Sequence, residues 1–278
     1  MPLVILNHGK PNQIKVHKGF GWKPQKKDIR DKIYCPKKKF FLPSSIDLTQ
    51  GMPDCWDQEQ LGSCTSQGIS FTAQYRLIKE SKPSQTNINS PSAIPSRLFI
   101  YRQERFIEGG EEQVLVDSGA TIRDGIKAIA DKGFPFEDSW PYSDNTDDSK
   151  GKIPPFVANP PHNVWGIAWH FRIQKYEAVN PDVNSIKAAL ANGNPVVFGF
   201  TVYDSFNDIG NDGLMPVPKP TEKIEGGHCV VFVGFNDKTG YFKTRNSWSP
   251  AWGQNGYFYF PYQCVDSLAS DFWVISSI

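Results

Sequence analysis

Apolar and polar positions along the chain fall into two regimes. Between Cys64 and roughly Lys79, Ile69, Phe71, Tyr75 and Leu77 recur close to the helical period, which predicts a first strong helix starting at or just before Cys64. After Pro95, the residues Leu98, Ile100, Tyr101 and Phe106 interleave with Arg and Glu and predict a partly exposed amphipathic helix. Ile122, Ile126 and Ile129 predict a third helix from about Thr121 to Lys132, ended by Gly133, where a left-handed residue carries no Cβ. Beyond Pro141 the periodicity changes. An acidic, Ser- and Asn-containing stretch (143–149) and a Pro-rich one (154–161) lead into β-type runs at 164–176, 195–202, 228–235, 240–245, 256–260 and 272–276, with one helix near 183–191. A helical half followed by a β half predicts an α+β chain with a cleft between two lobes.

With 39% hydrophobic and 21% charged residues in 278, the chain can bury a sizeable core, and whole-chain disorder is excluded. No internal repeat marks a solenoid. No apolar run approaches the roughly 18–20 residues of a membrane span, and no N-terminal secretory signal is present, which leaves a cytoplasmic location or packaging within a particle or compartment by another route.

The net charge of +1 hides an uneven distribution: residues 1–50 hold 11 Lys or Arg against 3 Asp, a balance of +8, and the remainder carries −7. The first 42 residues are Lys-rich and Pro-punctuated and read as an arm, with docking on the chain's own acidic body ahead of nucleic acid or a membrane face. Five cysteines, at 35, 55, 64, 229 and 264, form no CxxC pair, so neither a zinc site nor a disulfide scaffold is indicated. An odd count leaves at least one free thiol. Cys35 is open to pairing with Cys55 or Cys64, because sequence does not fix connectivity.

Three segments carry candidate chemistry. In Asp57-Gln58-Glu59-Gln60-Leu61-Gly62-Ser63-Cys64 a thiol opens a helix, where unpaired N–H groups and the macrodipole favour thiolate. In Gly226-Gly227-His228-Cys229 a histidine begins an apolar strand after two glycines that leave room for a ligand backbone. In Asn246-Ser247-Trp248-Ser249-Pro250-Ala251-Trp252-Gly253 an amide follows a strand and two Trp lie four apart. Taken singly, each has a structural reading: a buried Cys, a packed His, a turn Asn and core Trp.

In that order, Gln, Cys, His and Asn-Ser-Trp, the segments resemble the papain-like cysteine proteases. The resemblance implies a papain-like two-lobe fold, with a helical left lobe at about 50–140, a β-barrel-like right lobe at about 160–278 and the active-site cleft between them. It implies Cys64 as nucleophile, His228 as its imidazole partner, Asn246 as the amide that orients the ring and Gln58 as the oxyanion-hole donor. Trp248 would shield the His–Asn contact, and Trp252 would line the leaving-group side. Ser118, Gly119 and Ala120, with Gly227 across the cleft, would offer backbone groups to an extended polypeptide substrate. Neither a metal nor a cofactor is implied.

The departures are specific. Leu61 and Asp117 stand where the family carries its first disulfide, so both halves are lost together, and Thr65 replaces the aromatic after the nucleophile. Leu42-Pro43-Ser44-Ser45-Ile46-Asp47 resembles the mature start, which makes residues 1–42 a short prosegment that occupies the cleft and 43–278 the peptidase domain. The resulting expectation is an endopeptidase made as a zymogen. The alternatives are an exopeptidase of the same fold, a silent peptide-binding relative and, from the basic arm alone, a nucleic-acid-binding module.

Overall fold

The structure is a computed structural model that describes residues 19–36, 41–80, 87–145 and 153–278. His8, His17, the Lys37-Lys38-Lys39 cluster and part of the acidic 143–149 stretch lie outside the described residues.

Three helices form the first half: α1 (Cys64–Lys79), α2 (Arg97–Val114) and α3 (Ile122–Asp131). The start of each follows from local chemistry. Ser96 caps α2 by accepting from Phe99 N–H (3.2 Å), and Thr121 caps α3 by accepting from Asp124 N–H (3.2 Å). Helix α1 is buried on almost every side, so its small polar residues satisfy themselves locally: Thr72 Oγ1 donates to Gly68 O (2.8 Å) and Ser70 Oγ to Pro95 O (2.6 Å).

The run at 164–176 does not form the predicted strand. Residues His162–Ala168 form a helix, α4, and only Lys175–Ala178 is strand, β2. Pro161 sets an extended entry, and Val164 and Ala168, four apart, bury together against Phe99, so a helical face lies inside a segment whose composition favours strand. Helix α5 (Val183–Ala191) is capped by Asp182, whose carboxylate accepts from Ser185 N–H at 2.9 Å.

A seven-stranded sheet organises the second half. Besides β2 it contains β1 (Ser45–Asp47), β3 (Val196–Tyr203), β4 (Ile224–Asn236), β5 (Tyr241–Arg245), β6 (Tyr257–Pro261) and β7 (Ala269–Ser277). The order is β2-β7-β3-β4-β5-β6, all antiparallel, with β1 also on β4. The fold is therefore α+β, but the expected barrel does not close, because pairing ends at β2 on one edge and at β6 on the other. The sheet has two covered faces instead of an enclosed interior. Phe198, Phe200, Phe232, Phe260 and Phe272 fill one face together with Ile186 and Leu190 of α5, whereas Val197, Val231, Val233 and Trp273 pack on Ile69 of α1 and Ile126 of α3. Burial on both faces explains why these strands read as unbroken apolar runs.

Strand alternation on β4 separates two neighbours. His228 shares its face with Val230 and Phe232, and its ring centroid lies 6.0 Å from that of Phe200. Cys229 points the other way, where its sulfur meets Gly68 of α1.

Candidate active site

Cys64 is the first residue of α1 and is fully buried. Its Sγ accepts from Cys229 N–H at 3.4 Å, which ties the head of α1 to β4 beside His228. Burial pushes the Cys64 thiol up to about 12, against the pull of the Cys229 and Gly21 N–H groups. Helix position alone predicts a lowered value; here the loss of solvent wins, and the arm, whose Gly21 N–H reaches the sulfur, is part of the cover.

Two short bridges bring the other residues to the same place. Gln58 N–H donates to Ser247 O (2.9 Å) and Ser249 N–H to Trp56 O (3.0 Å), so the stretch before α1 lies alongside the loop after β5. The Asn246 side-chain oxygen accepts from Ser247 N–H (2.8 Å) and faces His228 Nε2 at 2.8 Å. An oxygen that only accepts requires Nε2 to carry the proton, which leaves Nδ1 as the basic nitrogen of the ring. Trp248 stacks on the imidazole at 4.9 Å between centroids, and Trp252 meets Trp248 edge-on at 5.3 Å.

The Gln58 amide is held by residues that the sequence reading did not single out for a role. Ser247 Oγ donates to Gln58 Oε1 (2.6 Å), which fixes the amide so that Nε2 faces the groove. Tyr142 O–H donates to Gln58 O (2.7 Å) and lies 2.7 Å from Ser63 Oγ, bracing the whole turn from below. Ser247 carried no signal beyond its place in Asn-Ser-Trp. Thr65, in place of the usual aromatic, donates to the buried Glu104 carboxyl (2.7 Å), which burial holds well above the ordinary carboxylate range.

The missing cross-link is replaced by hydrogen bonds. Leu61 packs with Leu98 and Phe156, and the Asp117 carboxylate accepts from Gly62 N–H with both oxygens (3.1 and 3.1 Å) and from the Tyr101 hydroxyl. Tyr101 in turn accepts from Gly119 N–H at 3.1 Å. One carboxylate thus holds the loop before Cys64 against the 117–120 segment. Asp117→Ala leaves two donors without their acceptor, at about 1–3 kcal/mol each. The melting temperature of the variant should fall by about 5–10 °C. A calorimetric shift of less than about 1 °C would show that the carboxylate holds nothing.

The arm lies in the cleft as an extended peptide. Gln58 Nε2 donates to Gly19 O (2.7 Å), Ala120 N–H to Gly21 O (2.7 Å), Trp22 N–H to Gly227 O (3.0 Å) and Lys23 N–H to Ala120 O (3.0 Å). Ser118 Oγ stands 3.4 Å from Lys23 Nζ. Gly119 has φ +67, and a Cβ there would lie 2.0 Å from Gly21 O. One at Gly21 would lie 1.7 Å from Gly62 O, so only glycine passes at either position. Of the ten sequence-predicted site residues, eight meet the arm, while Asn246 stands behind His228 and Trp252 packs on Trp248.

Among the described residues, ion pairs, backbone bonds and ring contacts all join the arm to the body. The ion pairs between the described arm and the body are Lys23–Glu108 at 2.7 Å and Asp31–Arg123, the second of opposite sense to a basic arm on an acidic body. Backbone bonds, the buried Trp22 ring and Phe20, which packs on His228 and Trp248 (5.9 Å to each centroid), do the rest. All five cysteines are free thiols, so the possible Cys35 cross-links do not form, and Cys35 is exposed. Among the described residues no His/Cys/Asp/Glu group is arranged to hold a metal, and no helix is long and apolar enough to cross a membrane.

Residues 107–267 match the family described as papain family cysteine protease. The chain is 35% identical over 289 residues to an uncharacterized peptidase C1-like protein of Acanthamoeba polyphaga mimivirus, covering 95% of this chain and 88% of that one. Among solved structures it is similar to xylellain, a cysteine protease from Xylella fastidiosa, with a TM-score of 0.83 and 39% identity over 94% of this chain and 97% of that one. A procathepsin B of Trypanosoma congolense shares the fold, with a TM-score of 0.64 at 15% identity over 90% of this chain and 85% of that one. A match of this extent, together with a thiol heading a helix beside a histidine and its amide, makes the chain a member of the papain family of cysteine proteases.

Proposed function

We propose that the chain is the arm-covered precursor of an endopeptidase that cleaves through a thioester acyl-enzyme. Cys64 attacks the scissile carbonyl. His228 Nδ1 takes the thiol proton and returns it to the departing amine, and Asn246 holds the imidazole by its Nε2–H. Gln58 Nε2 and the Cys64 backbone N–H donate to the oxyanion. Trp248 keeps water from the His–Asn contact, and Trp252 lines the side where the amine leaves.

The observation that carries this reading is the 2.7 Å bond from Gln58 Nε2 to Gly19 O, since a peptide carbonyl already sits on the donor assigned to the oxyanion. The groove favours internal cleavage because the stretch it holds, Gly19 to Lys23, is internal to the chain and is bound through backbone groups. The procathepsin relative supports the zymogen half of the proposal.

A chain beginning at Pro43 should hydrolyse internally quenched fluorogenic peptides with blocked ends, and Gln58→Ala should lower kcat by about 10²–10³-fold with a small change in KM. Failure of the folded, arm-free protein to cleave any member of a peptide library would overturn the assignment. Cleavage of free-ended peptides alone would replace the endopeptidase by the exopeptidase.

A further inference from the structure

The arm is attached to the body at two separate places, and only one of them is the cleft. Residues 19–26 follow the cleft and end where Arg123 Nη1 donates to Lys26 O (2.6 Å). The other attachment is the outer edge of the sheet. Tyr34 N–H donates to Ala178 O (2.7 Å) and Ala178 N–H to Lys32 O (2.8 Å), so the arm adds a short parallel bridge to β2, the strand at which pairing otherwise ends. The Tyr34 ring packs against the aromatic side of the sheet, and its hydroxyl accepts from Asn194 Nδ2 (3.2 Å). Asp31 supplies a carboxylate to Arg123, which is 8% exposed and donates to it from Nε at 3.1 Å. A guanidinium buried to that degree is strongly destabilising once its partner is removed.

Between the two attachments lies a loop, 27–30, in which Lys27, Ile29 and Arg30 are exposed. Among the described residues its hydrogen bonds are local. The Asp28 carboxylate accepts from Arg30 N–H (3.0 Å) and Nε (2.9 Å), and Asp28 O accepts from Asp31 N–H (3.1 Å). An exposed polar loop held only by itself is where a folded chain is nicked most readily.

We propose that the 27–30 loop is the processing site of the precursor, and that residues 31–36 stay on the body as a strap of the working enzyme. The inference rests on the peptidase reading and moves its boundary, since an enzyme that starts at Pro43 would discard the strap. Water hydrolyses one peptide bond in the loop with an endopeptidase as catalyst, leaving a new carboxylate on the cleft-filling part and a new amine on the strap. Before the cut, the tether holds residues 19–26 at an effective concentration on the order of millimolar. After it, the cleft-filling part is an ordinary ligand that dilution removes. The strap remains joined to the body by the chain itself.

The test compares the full chain with chains beginning at Asp28 and at Pro43. The Asp28 chain should hydrolyse blocked fluorogenic peptides within about twofold of the Pro43 chain, and at least about a hundredfold faster than the full chain. It should melt about 5–10 °C above the Pro43 chain, and Asp31→Ala in the Asp28 chain should remove most of that difference. The full chain incubated with a trace of the Asp28 chain should gain activity as a new amino terminus at 28–31 appears by mass spectrometry. An Asp28 chain as silent as the full chain would place the strap with the inhibitor. Equal melting of the two shortened chains, or no loss on Asp31→Ala, would show that the strap holds nothing. A first cut outside the loop, or none, would put processing elsewhere. Each of these overturns the proposal. If neither shortened chain cleaves any peptide, the peptidase reading falls instead, and the melting comparison still reports on the strap.

Discussion

A chain cut back to begin at Pro43 should cleave peptides at least about a hundredfold faster than the full chain, because three elements of the arm occupy the site at once. Gly19 O sits on the Gln58 amide, Phe20 packs on the His228 and Trp248 rings, and Gly21 to Lys23 take the backbone partners on Ala120 and Gly227. The arm also seals Cys64, whose thiol burial pushes to about 12. At pH 7 a thiol with that value is ionised in only about one molecule in 10⁵. Alkylation of Cys64, followed by peptide mapping, should therefore be slow in the full chain and rise about tenfold per pH unit through the alkaline range. In the shortened chain solvent reaches the sulfur, while the helix start and the Cys229 N–H remain to favour thiolate. Its alkylation should be fast near neutrality. Equal hydrolysis and equal labelling of the two chains would show that the arm is not an inhibitor.

Cys64→Ala in the shortened chain should lower peptide hydrolysis by at least about 10⁴-fold, as loss of a nucleophile does where the remaining groups act only as a unit. It should also abolish adduct formation with a thiol-directed peptidyl inhibitor. Stability should move little by comparison, because the substitution removes one sulfur atom whose hydrogen bond from Cys229 N–H is long, at 3.4 Å. Cys229 makes the assignment sharp. It is equally buried, adjacent to His228 and close to the same sulfur, and burial raises both thiols, but its side chain points into the α1 packing. If Cys64→Ala retained activity while Cys229→Ala lost it, the nucleophile would have been misplaced by one face of a strand.

Much of this was legible beforehand because the chemistry leaves local marks. Helix α1 begins at Cys64 as its spacing predicts, and Gln58, His228 and Asn246 are flanked by glycines, turn formers and tryptophans that make their segments distinctive. What escaped lies in long-range pairing. The helix at His162–Ala168 was hidden because an apolar run bounded by prolines has no decisive period over seven residues. The open sheet was hidden because closure depends on which strands become edges, and no strand carries that information by itself. Ser247 and Tyr142 act on Gln58 from 189 and 84 residues away, so no spacing rule reaches them. The thiol value ran opposite to expectation because a helix start is a local feature, whereas cover by the arm is a tertiary one.

On β4, neighbouring residues face opposite layers: His228 looks into the aromatic side and Cys229 into the helices. A slip of one residue in the pairing of this strand would exchange them, sending the imidazole into a helix seam and a thiol toward Asn246. The strand is held by β1, β3 and β5. A copy with this strand out of register would therefore lack the His–Asn pair. The burial of both faces of β4 thus fixes the register that the chemistry needs.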